Sequence, residues 1–227
     1  MCWPWFGGLD VNPAAIRQQY TLAQPPAHGL VRQQPWALMD SEQDDEQITL
    51  SFVLAPQADR QYLPPVEPTL TVRLDDGLSL SLHNHNRGSE PVWISQALHS
   101  YFAVSDCRQI EIHGLDGCPY VDALDDWQSH RQAGPLMFHG ETDRLYLQLP
   151  ETLHIDDPGW QRQLTLSASG SRSAVVWNPW IEKSRRLSQF ANDAWQRMLC
   201  IETARVLDDA LCLAPDERHT MALRLHS

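Results

Sequence analysis

The run Leu70-Thr71-Val72-Arg73-Leu74-Asp75-Asp76-Gly77-Leu78-Ser79-Leu80-Ser81-Leu82 is the clearest β-hairpin pattern in this chain. Leucine and valine alternate with polar residues on both sides of Asp75-Asp76-Gly77, as in two half-buried strands joined by a tight turn. Glycine adopts positive φ without strain, so Gly77 predicts a hairpin turn. The two strands are therefore expected to pair in antiparallel fashion.

The same two-residue period recurs along the chain and predicts more strands. Sixteen prolines interrupt any long helical pattern, so helix is expected only in short pieces, around residues 184–196. An acidic, solvated turn is expected over residues 40–47. With no internal repeat and no linker, the 227 residues predict a single all-β domain over residues 1–227, a large antiparallel β-sandwich. Strands are expected at residues 47–54, 69–74, 78–82, 109–112, 145–149, 164–168 and 221–225.

Composition limits the partners and the compartment. A formal net charge of -12 argues against nucleic acid or an anionic membrane as a partner. Nine tryptophans favour a carbohydrate site, because flat aromatic rings stack on sugar faces as well as packing in cores. Five widely spaced cysteines without a Cys-x-x-Cys motif indicate reduced thiols. With neither a leader pattern nor a long apolar run, the sequence predicts a soluble, cytoplasmic protein.

Two apolar segments each contain one titratable residue. Glu202 lies in Met198-Leu199-Cys200-Ile201-Glu202-Thr203, where strand alternation puts it on the same face as Cys200. A buried carboxylate is costly unless it is paired, which favours a functional role. His99 lies in Ala97-Leu98-His99-Ser100-Tyr101-Phe102, and a core histidine bonded to backbone is the alternative. Together Glu202 and His99 predict a proton acceptor and a proton donor that face one pocket.

Two other candidates are weaker. His28 lies between a loop proline and a glycine, with Arg32 close enough in sequence to reach the same cleft. An ordinary surface pair is the alternative for these two residues. Asp143 directly precedes a predicted strand, where capping of a turn would explain it equally well.

A metal site of the cupin type is a further alternative. The spacing from Gly77 to His83, His85 and Glu90 matches the first half of a cupin motif, and two imidazoles with a carboxylate can bind a divalent metal. The glycine that should follow is replaced by Ala97, and no later Pro-x-Gly-x-x-His segment supplies the remaining ligand. The cluster also suits the polar end of a strand that enters a turn.

Four blocks, taken in order, resemble the aldose 1-epimerase superfamily, and within it the hexose-6-phosphate mutarotase branch. They extend over nearly the whole chain, which makes the resemblance specific. The blocks are Cys2-Trp3-Pro4-Trp5-Phe6-Gly7 with Pro26-Ala27-His28-Gly29-Leu30-Val31-Arg32; Ala97-Leu98-His99-Ser100-Tyr101-Phe102; Thr142-Asp143-Arg144-Leu145-Tyr146; and Val176-Trp177-Asn178-Pro179-Trp180 with Leu199-Cys200-Ile201-Glu202-Thr203.

The resemblance implies a galactose mutarotase-like β-supersandwich and the activity of a glucose-6-phosphate 1-epimerase, which needs no cofactor and no metal. In that activity the α and β anomers of a hexose or hexose 6-phosphate interconvert by ring opening. The implied roles are Glu202 as general base, His99 as general acid, His28 as a second substrate-contacting imidazole, Asp143 as a ligand of sugar hydroxyls, and Arg32 as part of the phosphate grip. Trp177, Trp180 and Lys183 are expected near the sugar.

The chain departs from the family pattern at its start. The Cys-Trp-Pro-Trp-Phe-Gly block lies well inside the family's chains but begins here at Cys2. This predicts an N-terminally shortened sheet whose exposed edges favour a homo-oligomer. Ala27 replaces a residue that is often polar in the branch that binds sugar phosphates. A sugar-binding protein without catalysis is therefore the main alternative function, and a cupin-like metalloprotein the more distant one.

Overall fold

The structure, a computed structural model, describes residues 1–227. Its strands are β1 (Trp36–Gln43), β2 (Ile48–Leu54), β3 (Val66–Leu74), β4 (Leu78–Asn86), β5 (Val92–Ile94), β6 (Gln96–Leu98), β7 (Tyr101–Ala103), β8 (Glu111–His113), β9 (Pro119–Asp122), β10 (Gln128–Arg131), β11 (Thr142–Leu147), β12 (Thr152–Asp157), β13 (Arg162–Ser169), β14 (Ser173–Asn178), β15 (Met198–Arg205), β16 (Leu211–Leu213) and β17 (Arg218–His226). The α-helices are α1 (Ala14–Arg17) and α2 (Trp180–Ser184), and single 3₁₀ turns cover Leu9–Val11, Cys107–Gln109, Pro158–Trp160, Ala194–Arg197 and Leu207–Asp209. None of these helices has the length and apolar character needed to cross a membrane.

The chain forms two compact units. Unit 1 comprises Met1–Leu98, Ala168–Ser171 and Ala204–Arg224, and unit 2 comprises His99–Ser167, Arg172–Thr203 and Leu225–Ser227. Strands with antiparallel pairing dominate both units. The predicted all-β, antiparallel class is therefore confirmed, and the assignment of residues 1–227 to one domain stays a prediction.

In unit 1, strands β1 to β4 form an antiparallel meander. The predicted hairpin is β3 with β4. Phe52, Leu70 and Leu82 lie side by side across three of these strands, and Leu82 is fully buried. Side chains on one face of neighbouring strands pack against each other, so this apolar row fixes the register that the alternating sequence predicts.

The turn of this hairpin is closed differently from the expectation. Gly77 does not adopt positive φ. Instead, the Gly77 N–H donates a hydrogen bond of 2.9 Å to the Asp75 carboxylate, and the Asp75 N–H donates one of 3.0 Å to the Gly77 carbonyl. Aspartate often stabilises turns through its side chain in this way. The Asp75 carboxylate therefore closes the turn, which the sequence pattern attributed to positive φ at Gly77.

Unit 2 contains two groups of antiparallel strands. In the first group the order is β10-β9-β11-β14-β15, and β7 pairs with β15. In the second group β12 lies between β8 and β13. The first group carries the residues that the sequence marks as acid and base.

Two local predictions differ from the structure in extent. Around residues 184–196 the helix is confined to short pieces, as expected, but these lie at the two ends of the range: α2 ends at Ser184 and a 3₁₀ turn covers Ala194–Arg197. The intervening residues are mostly exposed, so no apolar face packs on the protein to support a helix between the two pieces. The acidic turn is also shorter than expected, since β1 continues to Gln43 and the turn covers residues 44–47.

Asn178 fixes the segment that follows β14. Its side chain is fully buried and its amide donates hydrogen bonds of 2.8 Å to the carbonyls of Trp195 and Met198. Its amide oxygen accepts a hydrogen bond of 2.8 Å from the Trp180 N–H. One side chain thus holds both ends of the segment between β14 and β15, and α2 lies within that segment.

We predict that Asn178→Ala lowers the free energy of unfolding by about 1 to 3 kcal/mol, because it leaves buried backbone groups without their partners. Urea titration followed by tryptophan fluorescence measures the change. The exposed Asn192→Ala is the control and should stay within about 0.5 kcal/mol of wild type. Equal urea midpoints for both variants would contradict the anchoring role of Asn178.

Candidate active site

One face of the β7–β15 pair in unit 2 brings the candidate acid and base together. Cys200 and Glu202 are two residues apart on β15, so both side chains leave the sheet on the same side. Tyr101 on β7 lies directly opposite Cys200 and shares that side. His99 comes two residues before Tyr101. Strand pairing therefore unites residues from distant parts of the chain.

His99 and Glu202 form a buried contact. The His99 Nε2 atom lies 3.4 Å from Glu202 Oε1, and the two side chains are 10% and 3% exposed. Removing a carboxylate from water is costly, and a neighbouring imidazole offsets that cost. The Tyr101 ring stacks on the His99 ring at 4.7 Å with an interplanar angle of 6°. This stacking fixes the plane of the imidazole opposite the carboxylate.

Trp177 and Asp143 extend the same face. The Trp177 ring stands edge-on to Tyr101, with ring centroids 6.5 Å apart. Asp143 is directly opposite Trp177 in the β11–β14 pair, so their side chains leave the sheet on one side. Asp143 lies within β11 rather than in the turn before it, so strand pairing, not turn capping, sets its position.

The carboxyl group of Asp143 has a raised pKa. Burial raises the pKa of its carboxyl from the ordinary 3.8 to about 6, Lys183 opposes this rise, and Glu141 adds to it. The Lys183 Nζ atom lies 3.9 Å from Asp143 Oδ2 and 3.0 Å from Glu141 Oε1. Lys183 belongs to α2 and is therefore held in place through Asn178. Asp143 consequently changes its charge close to neutral pH.

His28 and Arg32 lie in unit 1, where both contact Cys2. The Cys2 Sγ atom is 3.4 Å from His28 Nδ1 and 3.9 Å from Arg32 Nη1. Burial and, to a smaller extent, the Arg32 guanidinium lower the pKa of His28 to about 4. His28 is therefore neutral at pH 7 and can exchange hydrogen bonds but carries no charge.

Backbone contacts hold the loop that carries His28. The His28 N–H donates a hydrogen bond of 2.8 Å to the Gly7 carbonyl, and the Leu30 N–H donates one of 2.8 Å to the Trp3 carbonyl. Gly29 has a φ of +81°, and a Cβ atom there would lie 2.1 Å from the Trp3 carbonyl oxygen. Only glycine fits this close approach, so the two halves of the first sequence block are locked together.

The residues of the cupin-like cluster, His83, His85 and Glu90, contact other residues rather than one another. His85 Nε2 lies 2.6 Å from Asp216 Oδ1, and His83 Nδ1 lies 2.9 Å from Thr220 Oγ1. The Glu90 backbone carbonyl accepts a hydrogen bond from the Asn86 side chain. The histidine, cysteine and carboxylate ligand atoms that do lie within 4.8 Å of one another belong to His99, Cys200 and Glu202.

Two contributors to the site are missing from the sequence-based assignment. Tyr101 supports the His99 ring, and Glu141 forms an ion pair with Lys183. Each lies two residues from an assigned candidate, Tyr101 from His99 and Glu141 from Asp143. Tyr101 begins β7 and Glu141 directly precedes β11, so the available signal was their closeness in sequence to the assigned candidates.

Comparison with solved structures defines the class of fold. The crystal structure of "a putative mutarotase (YeaD)" from Salmonella typhimurium matches with a TM-score of 0.85 and 25% identity, over 99% of this chain and 72% of that one. A "galactose mutarotase-like protein" from Lactobacillus casei matches with a TM-score of 0.68 and 15% identity, over 98% of this chain and 82% of that one. The fold is thus galactose mutarotase-like, as the resemblance implied.

Sequence comparison gives the family. The family model described as "Aldose 1-epimerase" matches residues 1–226, and the chain belongs to that family. Proteins named "Putative glucose-6-phosphate 1-epimerase" are 32% identical in Salmonella typhimurium and 29% identical in Escherichia coli, each over 205 residues. These matches cover 89% and 90% of this chain, and the chain spans 65% of the length of either relative.

The raised pKa of Asp143 predicts a pH-dependent contribution to stability. Between about pH 4 and pH 6 the folded chain holds a proton on this carboxyl that the unfolded chain has lost. The proton therefore stabilises the fold at low pH, and this stabilisation is lost as the pH rises through about 6. Relative to Asp143→Asn, the wild type should lose roughly 2 kcal/mol of unfolding free energy between pH 4.5 and pH 7.5.

Urea unfolding of both proteins at the two pH values measures this difference. The exposed Asp208→Asn is the control and should retain the wild-type pH dependence. A constant difference between wild type and Asp143→Asn would contradict the raised pKa.

Proposed function

We propose that the chain is a hexose-6-phosphate mutarotase, a glucose-6-phosphate 1-epimerase, that interconverts α and β anomers by general acid–base catalysis. The observation that carries this proposal is the contact of 3.4 Å between His99 and Glu202. The anomeric oxygen and the ring oxygen of a sugar are both bonded to C1. A base for the first and an acid for the second must therefore lie close together, as these two groups do.

Ring opening assigns one proton transfer to each group. The Glu202 carboxylate takes the proton of the anomeric hydroxyl, and the released electron pair forms the C1 carbonyl while the bond between C1 and the ring oxygen breaks. The His99 imidazolium gives its proton to the ring oxygen. After rotation about the bond between C1 and C2, both transfers reverse on the other face of C1. No proton is consumed over the cycle, and each well-placed group contributes typically ~100- to 10,000-fold.

The remaining candidates bind the sugar in this proposal. Asp143 accepts hydrogen bonds from sugar hydroxyls, and the Trp177 ring offers an apolar face for stacking. His28 contacts the substrate as a neutral imidazole, and Arg32 binds the phosphate as a fixed cation. The formal net charge of -12 repels an anionic substrate, so a local cation is needed for a sugar phosphate.

The names of the relatives and the state of the cysteines support the same proposal. Two curated relatives bear the name of a glucose-6-phosphate 1-epimerase, which favours a phosphorylated hexose over a free one. No disulfide links any of the five cysteines, which is typical of a reducing compartment. We therefore place the reaction in the cytoplasm.

Exchange NMR of the anomers of glucose 6-phosphate at low temperature tests the proposal. Glu202→Gln and His99→Asn should each lower the enzyme-dependent exchange rate by ~100-fold or more, because each removes one proton transfer. Glu182→Gln and His130→Asn change the same residue types at exposed positions and should retain the wild-type rate.

Two results would overturn the proposal. Undiminished exchange in both Glu202→Gln and His99→Asn would remove the assigned roles. Binding of the sugar phosphate by the wild type without any acceleration of anomer exchange would favour the alternative of a non-catalytic sugar-binding protein.

A further inference from the structure

Three different metal-binding groups converge on the face that carries the acid–base pair. The His99 imidazole, the Cys200 thiol and the Glu202 carboxylate each offer one ligand atom, and these atoms all lie within 4.8 Å of one another. Cys200 is fully buried, and β15 places it on the side of Glu202. The two proton transfers of the proposed reaction do not use the thiol, so acid–base catalysis alone does not account for this donor set.

The donor set and its spacing suit Zn²⁺. Zinc binds imidazole nitrogen, thiolate sulfur and carboxylate oxygen with tetrahedral geometry. At the usual bond lengths, two ligand atoms on a tetrahedral zinc ion lie roughly 3.3 to 3.6 Å apart. His99 Nε2 and Glu202 Oε1 are 3.4 Å apart without any ion. Shifts of about 1 Å or less would therefore complete a site with three protein ligands, which is the arrangement of zinc sites that keep one position open.

We propose that His99, Cys200 and Glu202 bind one Zn²⁺ ion, and that the ion inhibits the enzyme by occupying both the general acid and the general base. The inhibitory part rests on the proposed function, whereas the binding part does not. On binding, the Cys200 S–H bond breaks, its electron pair forms the zinc–sulfur bond, and the proton leaves to the buffer. The His99 nitrogen that binds zinc gives up its proton in the same way if it carries one.

Another histidine–carboxylate cluster in unit 2 provides the contrast. The His113 Nε2 atom lies 3.3 Å from Glu111 Oε2 and 3.1 Å from Asp156 Oδ2. These side chains are 39% to 42% exposed and include no thiol, so water competes for any ion bound there. His113→Asn is therefore a suitable control for the buried site.

Calorimetric titration of the full chain with ZnCl₂, without sugar, tests the binding. The wild type should bind one ion with micromolar affinity or tighter and release a proton from the thiol, seen as a dependence of the heat on the buffer. Cys200→Ser should weaken the affinity at least ~10-fold and release one proton fewer per bound ion. His113→Asn should leave both unchanged. Unaltered affinity in Cys200→Ser, or loss of the ion in His113→Asn, would overturn the assignment.

Cobalt substitution gives a test that needs no variant. Co²⁺ bound to a thiolate produces an intense near-ultraviolet charge-transfer band, which histidine and carboxylate ligands alone do not produce. The wild type with one equivalent of CoCl₂ should show this band, and ZnCl₂ should displace it. Absence of the band in folded wild-type protein would overturn the assignment even if Cys200→Ser fails to fold.

The anomer-exchange assay separates this inference from the proposed function. Zn²⁺ should inhibit the wild type, EDTA should restore the rate, and Cys200→Ser should need at least ~10-fold more Zn²⁺ for half-inhibition. A chain that binds Zn²⁺ at Cys200 but shows no exchange activity would refute the proposed function and leave the metal site standing. An active chain that is insensitive to Zn²⁺ would refute the inhibitory site alone.

Discussion

The contact between His99 and Glu202 is the interaction on which the rest of the site depends. It exists because β7 pairs with β15 in a fixed register, with Tyr101 opposite Cys200. A shift of one residue would turn Glu202 to the other face of the sheet and separate it from His99. The geometry of this contact therefore depends on the pairing of β7 with β15, directly after the short segment between β6 and β7 that carries His99.

Burial and one lysine together determine the charge of Asp143, which lies on the same face as this contact. Asp143 is buried enough for its pKa to rise to about 6, and Lys183 limits that rise. Lys183 also pairs with Glu141, and α2, which carries the lysine, lies within the segment that Asn178 anchors. The hydrogen bonds of a buried amide thus help to set the charge of a carboxylate that faces the sugar in the proposed reaction.

The sequence predicts the local part of this structure well. Alternation of leucine and valine with polar residues is sufficient to predict β3 and β4, because the two-residue period of a strand is visible among neighbouring residues. The same reasoning puts Cys200 and Glu202 on one face. It does not give the bounds of the short helical pieces around residues 184–196, and it fails at Gly77, where the Asp75 side chain closes the turn without positive φ.

The long-range part of the site could not be derived from local pattern. That His99 meets Glu202 depends on which strands pair. The sequence predicts a shared pocket from two apolar segments that each contain one titratable residue, and only the family resemblance assigns the roles of acid and base. The stacking of Tyr101 on His99 and the raised pKa of Asp143 depend on tertiary contacts. Such contacts leave no periodic signal in the chain, although Tyr101 and Glu141 each lie two residues from an assigned candidate.

A crystal structure of the wild-type chain with glucose 6-phosphate tests directly whether Glu202 and His99 act on C1 of the sugar. The anomeric oxygen should lie ~2.6 to 3.2 Å from the Glu202 carboxylate, and the ring oxygen should lie at a similar distance from the His99 imidazole. A sugar bound with its C1 atom away from both residues would show that this pair is not the acid and base.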